Sequence, residues 1–305
     1  MNTLKKTSFL WLLLGAISFQ PTFLSAQSSQ NLYDIAINMS EDQALSALQK
    51  YKFQSNDVKK NNQLDNFIRK KKYRAAQYLI NEVGYSADAA LKNVNPQQFV
   101  CGVGMKKQPK TKKVRCKSGI TYQSNTEAQQ ALDFTKFLIS KNVKITNQSI
   151  TNAVRNNELE RAKLLIENYN DSEAINMAQF LYFAADRGYF DMIKYLIEEK
   201  GMDINTAHNG NIPIIEAVQY KDIVEYFISK GADINTKDKG GTSLIMVACA
   251  NHGCYETAKM LLETRQVDLD NKNNYGHDVV SFCKMSNKRH KDNMKVMTKL
   301  LKEYM

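Results

Sequence analysis

The stretch Cys249-Ala250-Asn251-His252-Gly253-Cys254 sets two thiols around an imidazole, and it is the one grouping in the chain that invites a metal or redox reading. Thiolate and imidazole are ligands that zinc accepts, and the two thiols could instead pair with each other. The spacing fits no compact zinc pattern, and a fourth ligand would have to come from Cys283 or His277. A second pair, Cys101 and Cys116, brackets GVGMKKQPKTKKVR. In an oxidising compartment this pair reads as a disulfide closing a 14-residue loop, worth about 3 kcal/mol on the loop-entropy account. The segment carries Lys106, Lys107, Lys110, Lys112, Lys113, Arg115 and Lys117, with no acid between Cys101 and Glu127. Such a projection suits an acidic protein face, an anionic envelope polymer or lipid headgroups, at up to about 1 kcal/mol per basic residue near an anionic surface. The plainer reading is a loop kept soluble by its charge.

Catalysis needs a converging acid, base or nucleophile with an orienting partner. The chain has no G-x-S-x-G elbow, no H-E-x-x-H and no Walker-type phosphate loop, and its four histidines, His208, His252, His277 and His290, are scattered. Gly102-Val103-Gly104 is a fragment of a phosphate motif without its helix or remaining glycine. The acidic pairs Glu41-Asp42 and Glu198-Glu199, and the basic runs Arg69 to Lys72 and Lys288 to Lys291, read as solvated helix ends and turns. The chain is therefore read as non-enzymatic, with no metal and no cofactor. Nucleic acid is not expected either, because the basic segment lacks the interleaved aromatic rings of a stacking platform.

The elements that must position these residues begin with an address. Lys5 and Lys6 precede the apolar run Phe9 to Phe19, then Pro21 breaks the pattern and Leu24-Ser25-Ala26 leads into polar QSSQN. That is the layout of a secretory signal, cut after Ala26, and the run is too short for the roughly 20 residues of a membrane span. Gln27 stands where a lipoprotein signal would place its cysteine. A periplasmic or secreted protein without stable membrane insertion, a monomer, is expected. Losing residues 1–26 lowers the formal charge of +11 by two lysines, to 11 − 2 = +9, and seven of those nine sit in the 101–117 segment. Thirteen Gly and four Pro leave little material for the turns of an all-β sandwich, while 43% hydrophobic residues suffice for a core. Helices are expected.

A pair of large aliphatics recurs at the end of amphipathic segments: Leu79-Ile80, Leu138-Ile139, Leu165-Ile166, Leu196-Ile197, Phe227-Ile228, Leu261-Leu262 and Leu300-Leu301. From second member to second member the steps are 59, 27, 31, 31, 34 and 39 residues, so the units cluster near 33 and the first step holds an insertion. Small or apolar residues twelve positions earlier (Ile68, Val154, Ala185) suggest two short helices per unit.

The segments after these pairs align without a gap: GMDINTAHNGNIPI from Gly201 and GADINTKDKGGTSL from Gly231, with QVDLDNKNNYGHDV from Gln266 in the same frame. This resembles the ankyrin repeat, whose finger loop runs G-A-D-V-N-x-x-D-x-x-G-x-T-P-L. On that reading Gly201 and Gly231 end a helix, Asp203, Asp233 and Asp268 open the finger, and Gly241 or Gly276 makes its turn. Thr242 is placed to cap the next helix, and Pro213 to start one. FLISKNVKIT from Phe137 matches YFISKGADIN from Tyr226 with Asn142 in place of glycine. Departures exist: Asn211 stands at a turn-glycine position, the unit at 217–228 is one residue short, and that at 248–262 is two residues long.

The resemblance implies an all-α, ankyrin-type helix-turn-helix solenoid with finger loops and one disulfide-closed basic insertion. Its segments are a signal at 1–26, capping helices at 27–63 with Ser40 as a cap, degenerate repeats at 64–147 with the insertion at 101–117, and repeats at 148–305 closed by a capping helix. Within it, Ala248, Cys249 and Cys283 take small inner-helix positions and Asn251-His252-Gly253 a turn. It also implies protein binding through finger tips and inner helices. Carried over by position, the contacts are Thr206, Ala207, His208 and Asn209, then Thr236, Lys237, Asp238 and Lys239, then Asn271, Lys272, Asn273 and Asn274. Arg187, Gln219, Tyr220 and His252 extend them along the inner helix ends. The expected partner is another exported protein, an acidic one by charge, held by a scaffold, stabiliser or inhibitor of the immunity type. The alternative is a binder of anionic polymer or membrane surface through the basic segment.

Overall fold

The computed structural model describes residues 29–51, 62–87, 90, 94, 125–251, 253–286 and 291–305. The signal at 1–26, the basic segment 101–117 with Cys101 and Cys116, and His252 and His290 lie outside the described residues. The chain divides into two compact units, Met1–Asn93 and Val94–Met305.

The first unit holds α1 (Ser29–Asn38), α2 (Glu41–Tyr51), α3 (Asn62–Arg69) and α4 (Tyr73–Tyr78), the last running into a π-helical turn, Leu79–Val83. α1 packs on α3 and α2 on α4, burying Leu32, Ile35, Leu48, Phe67, Ile68 and Leu79. Ser40 caps α2 reciprocally with Gln43, the Gln43 N–H donating to Ser40 Oγ and the Ser40 N–H to Gln43 Oε1. One residue of the basic run departs from the solvated reading. Lys72 is buried, and its ammonium donates to the carbonyls of Ile35 and Ala36 at the end of α1. Burial, with Lys70 nearby, lowers its pKa.

In the second unit α5 (Asn125–Ser140) precedes five helix pairs: α6 (Asn147–Arg155) with α7 (Leu159–Glu167), α8 (Met177–Arg187) with α9 (Phe190–Lys194), α10 (Pro213–Glu216) with α11 (Lys221–Ser229), α12 (Leu244–Ala250) with α13 (Tyr255–Glu263), and α14 (Val279–Ser286) with α15 (Lys291–Lys302). The first member of each pair forms an inner row, α6 on α8 on α10 on α12 on α14, and the second members pack behind it. Leu138, Leu165, Leu196, Phe227, Leu261 and Leu300 are all buried. The leading residue of each aliphatic pair is thus a core knob, joined in the pairs at 165–166, 261–262 and 300–301 by its buried follower, at about 1.5–3 kcal/mol apiece.

Local departures in sequence have local solutions. Asn142, at φ 55°, adopts the left-handed turn that Gly201 and Gly231 make elsewhere. The short unit is accommodated by a four-residue α10 whose last turn tightens to a 3-10 helix, Ala217–Gln219. Pro213 does start α10. Thr242 does not cap α12: the capping position is Ser243, and Thr242 is buried in the finger with its N–H on Asp238 Oδ1 at 2.9 Å. Cys249 and Cys283 fill buried inner-helix positions, with the Cys283 thiol on the Cys249 carbonyl at 3.2 Å. Among the described residues Cys249, Cys254 and Cys283 form no disulfide, and no group of three metal ligands occurs. No described helix is long and apolar enough to cross a membrane.

Candidate protein-binding surface

The fingers are tied together by one repeated side-chain device. Inside each, an aspartate accepts the N–H two residues on: Asp203 from Asn205 at 2.9 Å, Asp233 from Asn235 at 2.8 Å and Asp268 from Asp270 at 3.0 Å. The asparagine so placed reaches the next finger. Asn205 Oδ1 accepts the Asp233 N–H at 3.2 Å, and Asn235 Oδ1 accepts the Asp268 N–H at 2.8 Å while its amide donates to the Gln266 carbonyl at 2.9 Å. Earlier in the array one seam is tied from both sides: Asn147 Oδ1 accepts the Asn176 N–H at 2.8 Å, and Asn170 Oδ1 reaches back to accept the Ile145 N–H at 2.7 Å.

The finger turns are built differently. In the second, Asp238 Oδ1 accepts the N–H groups of Gly240 and Thr242; in the third, Asn273 Oδ1 takes those of Tyr275 and His277 in the same pattern. The first has no such side chain. There Asn209 and Gly210, both at positive φ, close a two-residue turn between His208 and Asn211, so Asn211 needs no glycine.

The expected contact residues fall into two groups. Ala207, Asn209, Lys237, Lys239, Lys272 and Asn274 are exposed at the tips, and Thr206, His208, Thr236 and Asp238 are half-buried. Asn271 and Asn273 are buried and hold the third finger rather than face outward. On the inner helix ends Arg187 is exposed and paired with Asp186 at 3.1 Å, and Gln219 is exposed. Tyr220 is used internally: its hydroxyl donates to the Asp186 carbonyl at 3.5 Å, and its ring lies where a Cβ on Gly188 would be only 2.6 Å away. Tyr189 makes the same bond one repeat earlier, to the Arg155 carbonyl at 3.1 Å.

Between these ends runs a row of which only His208 is among the expected contacts. The Arg155 guanidinium lies over the Phe183 ring at 4.7 Å, Phe183 meets Tyr182 edge-on at 5.1 Å, and Tyr182 meets His208 at 5.5 Å. Phe183, Tyr182 and His208 are half-buried and Arg155 exposed, and the row crosses α6, α8 and the first finger. The sequence signal was present: Tyr182 and Phe183 lie on the helix side away from buried Leu181 and Ala185. Glu216, on α10 nearby, is half-buried, and burial together with Asp186 and Asp238 raises its pKa.

The family described as ankyrin repeats (3 copies) matches three overlapping stretches, residues 125–208, 150–238 and 181–273. Residues 125–273 belong to the ankyrin repeat family. An ankyrin repeat protein of Rickettsia bellii (strain RML369-C) is 29% identical over 185 residues, which cover 54% of this chain and 46% of that protein. One from Acanthamoeba polyphaga mimivirus is 31% identical over 129 residues, covering 35% of this chain and 33% of its own. Alpha-latrocrustotoxin-Lt1a of Latrodectus tredecimguttatus is 29% identical over 127 residues, 38% of this chain and 9% of the toxin. The chain spans less than half the length of each of these relatives. Ankyrin repeats indicate a protein–protein interaction module.

Proposed function

We propose that this ankyrin array is a non-catalytic, exported protein that holds another exported protein as scaffold, stabiliser or inhibitor. The observation that carries the holding role is the row Arg155–Phe183–Tyr182–His208, half-exposed aromatic surface continuous across three successive repeats. Aromatic and arginine side chains supply a disproportionate share of interface energy, and rings already packed on one another lose little freedom when covered. Lys5, Lys6 and the apolar run Phe9 to Phe19 support export, with cleavage after Ala26.

The experiment is chemical cross-linking in the producing cell, followed by affinity purification and N-terminal mapping of the recovered chain. One stoichiometric exported protein is expected, recovered with a chain starting at Gln27 and lost on combined Tyr182→Ala and Phe183→Ala substitution. Recovery of anionic polymer alone, released by moderate salt and by neutralising Lys106 to Lys117, overturns the reading in favour of a polymer binder. Whether the partner's own activity is blocked or merely stabilised separates inhibitor from scaffold.

A further inference from the structure

The three neighbouring finger tips differ in chemistry. The first exposes Ala207 and Asn209, the second Lys237 and Lys239, and the third Lys272, Asn274 and Tyr275. Tyr275 is 78% exposed, the most exposed large hydrophobic among the described residues. Across segments 206–211, 236–242 and 271–277 the only acid is Asp238, whose Oδ1 is already engaged by two backbone N–H groups at 2.8 and 2.9 Å. Asp278, at the border, caps α14 by accepting from the Ser281 N–H and hydroxyl, and those bonds, helped by Lys272, hold its pKa low.

The second and third tips are also locked to each other. The Asn274 N–H donates to the Gly240 carbonyl at 2.9 Å and its amide to the Lys239 carbonyl at 3.1 Å, while the Asn271 amide reaches the Gly241 carbonyl at 3.3 Å. The Tyr275 N–H is fixed on Asn273 Oδ1 at 3.0 Å. A tyrosine presented on a fixed turn has only its own two side-chain torsions to lose on being covered. Lys237, Lys239 and Lys272, against the carboxylate of Asp238 among them and exposed Asp270 at the edge of the third segment, steer and select a negatively charged segment.

We propose that the edge made by the second and third tips docks an acidic segment of the partner protein. An apolar side chain of that segment packs on Tyr275, and its carboxylates meet Lys237, Lys239 and Lys272. This rests on the protein-holding role and adds where the partner's charge is read: on a preorganised edge of the array, built from residues other than those of the basic segment 101–117.

The test uses the full mature chain and three short fluorescent peptides of one pattern, leucine and phenylalanine interleaved with aspartate and glutamate, with glutamine, or with lysine. Only the acidic peptide is expected to bind, more weakly as salt rises. Combined Lys239→Glu and Lys272→Glu should weaken it at least about tenfold, and Tyr275→Ala about fivefold, with Tyr275→Phe near normal. Neutralising Lys106 to Lys117 should leave that binding unchanged. The inference is overturned if the glutamine peptide binds as well as the acidic one, if neither binds, or if the tip variants have no effect. Loss of binding on neutralising the 101–117 segment overturns it too, as does tighter binding of double-stranded DNA with the same sensitivity to the tip variants. A natural partner that cross-links at Arg155 and Phe183 but not at the tips sinks this inference and leaves the holding role standing. Finding no stoichiometric protein partner sinks the role itself.

Discussion

Alanine at Gly231 and alanine at Gly241 separate two costs that a turn glycine avoids. Both residues have positive φ, 92° and 72°, and an L side chain there costs about 1 kcal/mol. At Gly231 a new Cβ meets nothing within 4 Å, so that cost is the whole effect. At Gly241 the Cβ would stand 2.6 Å from Asn274 Oδ1 and 3.0 Å from Asn274 N. Asn274 must then shift and give up its bonds to the Gly240 and Lys239 carbonyls, each worth about 1 kcal/mol. The expected losses are about 1 kcal/mol for Gly231→Ala and about 3 kcal/mol for Gly241→Ala. Urea unfolding followed by far-ultraviolet circular dichroism gives the totals. Hydrogen exchange locates the difference, since only Gly241→Ala should deprotect the Asn274 amide. Equal losses within about 0.5 kcal/mol, with the Asn274 amide still protected, would refute the locked pair of fingers and with it the preorganised edge.

The pair Glu158 and Arg161 is buried at the start of α7, and burial pushes the Glu158 carboxyl up to about 7, with Arg161 pulling the other way. The folded state therefore holds that proton more tightly than an unfolded glutamate, and stability should fall as pH rises from the ordinary glutamate range toward neutrality. Glu158→Gln should flatten the unfolding midpoint between pH 5 and 7; parallel profiles for the two proteins would count against the burial. Burial also raises the Cys249 thiol and pushes Cys254 up to about 11. Iodoacetamide at pH 8 should leave Cys249, Cys254 and Cys283 unlabelled in the native protein and label all three in urea, by peptide mass. In the same unreduced urea sample Cys101 and Cys116 should stay unlabelled if they are bridged.

Much of the fold was legible because its fixed points are local chemistry. Gly201, Gly231 and Asn142 mark left-handed turns, Pro213 a helix start, and Asp-Ile-Asn a loop whose side chains bond the backbone at fixed offsets. The leading members of the aliphatic pairs turned out to be core knobs for the same reason, since one face of each outer helix must be buried. What failed depended on three dimensions. Thr242 looks like a cap only until Asp238 draws its N–H into the finger turn. Lys72 looks like part of a solvated run until the end of α1 arrives with two carbonyls. Asn271 and Asn273 occupy tip positions in the linear frame, but both are buried: the Asn271 amide reaches the Gly241 carbonyl of the second finger, and Asn273 Oδ1 holds the turn of its own. Tyr182 and Phe183 were legible as an outward helix side, but the row they complete was not, because Arg155 and His208 come from neighbouring repeats and nothing along the chain states which side chains of adjacent units will touch.

The asparagine bonds between fingers have a consequence for how such an array changes over generations. Asn205 and Asn235 reach the main chain of the following repeat, through the N–H of Asp233 and of Asp268, not its side chains. Every non-proline residue carries that N–H, so the joint between units is indifferent to what sequence comes next. A unit can be duplicated, deleted or exchanged without its neighbours having to be rematched at this seam, leaving the tips free to diverge toward a partner while the coupling between units stays the same.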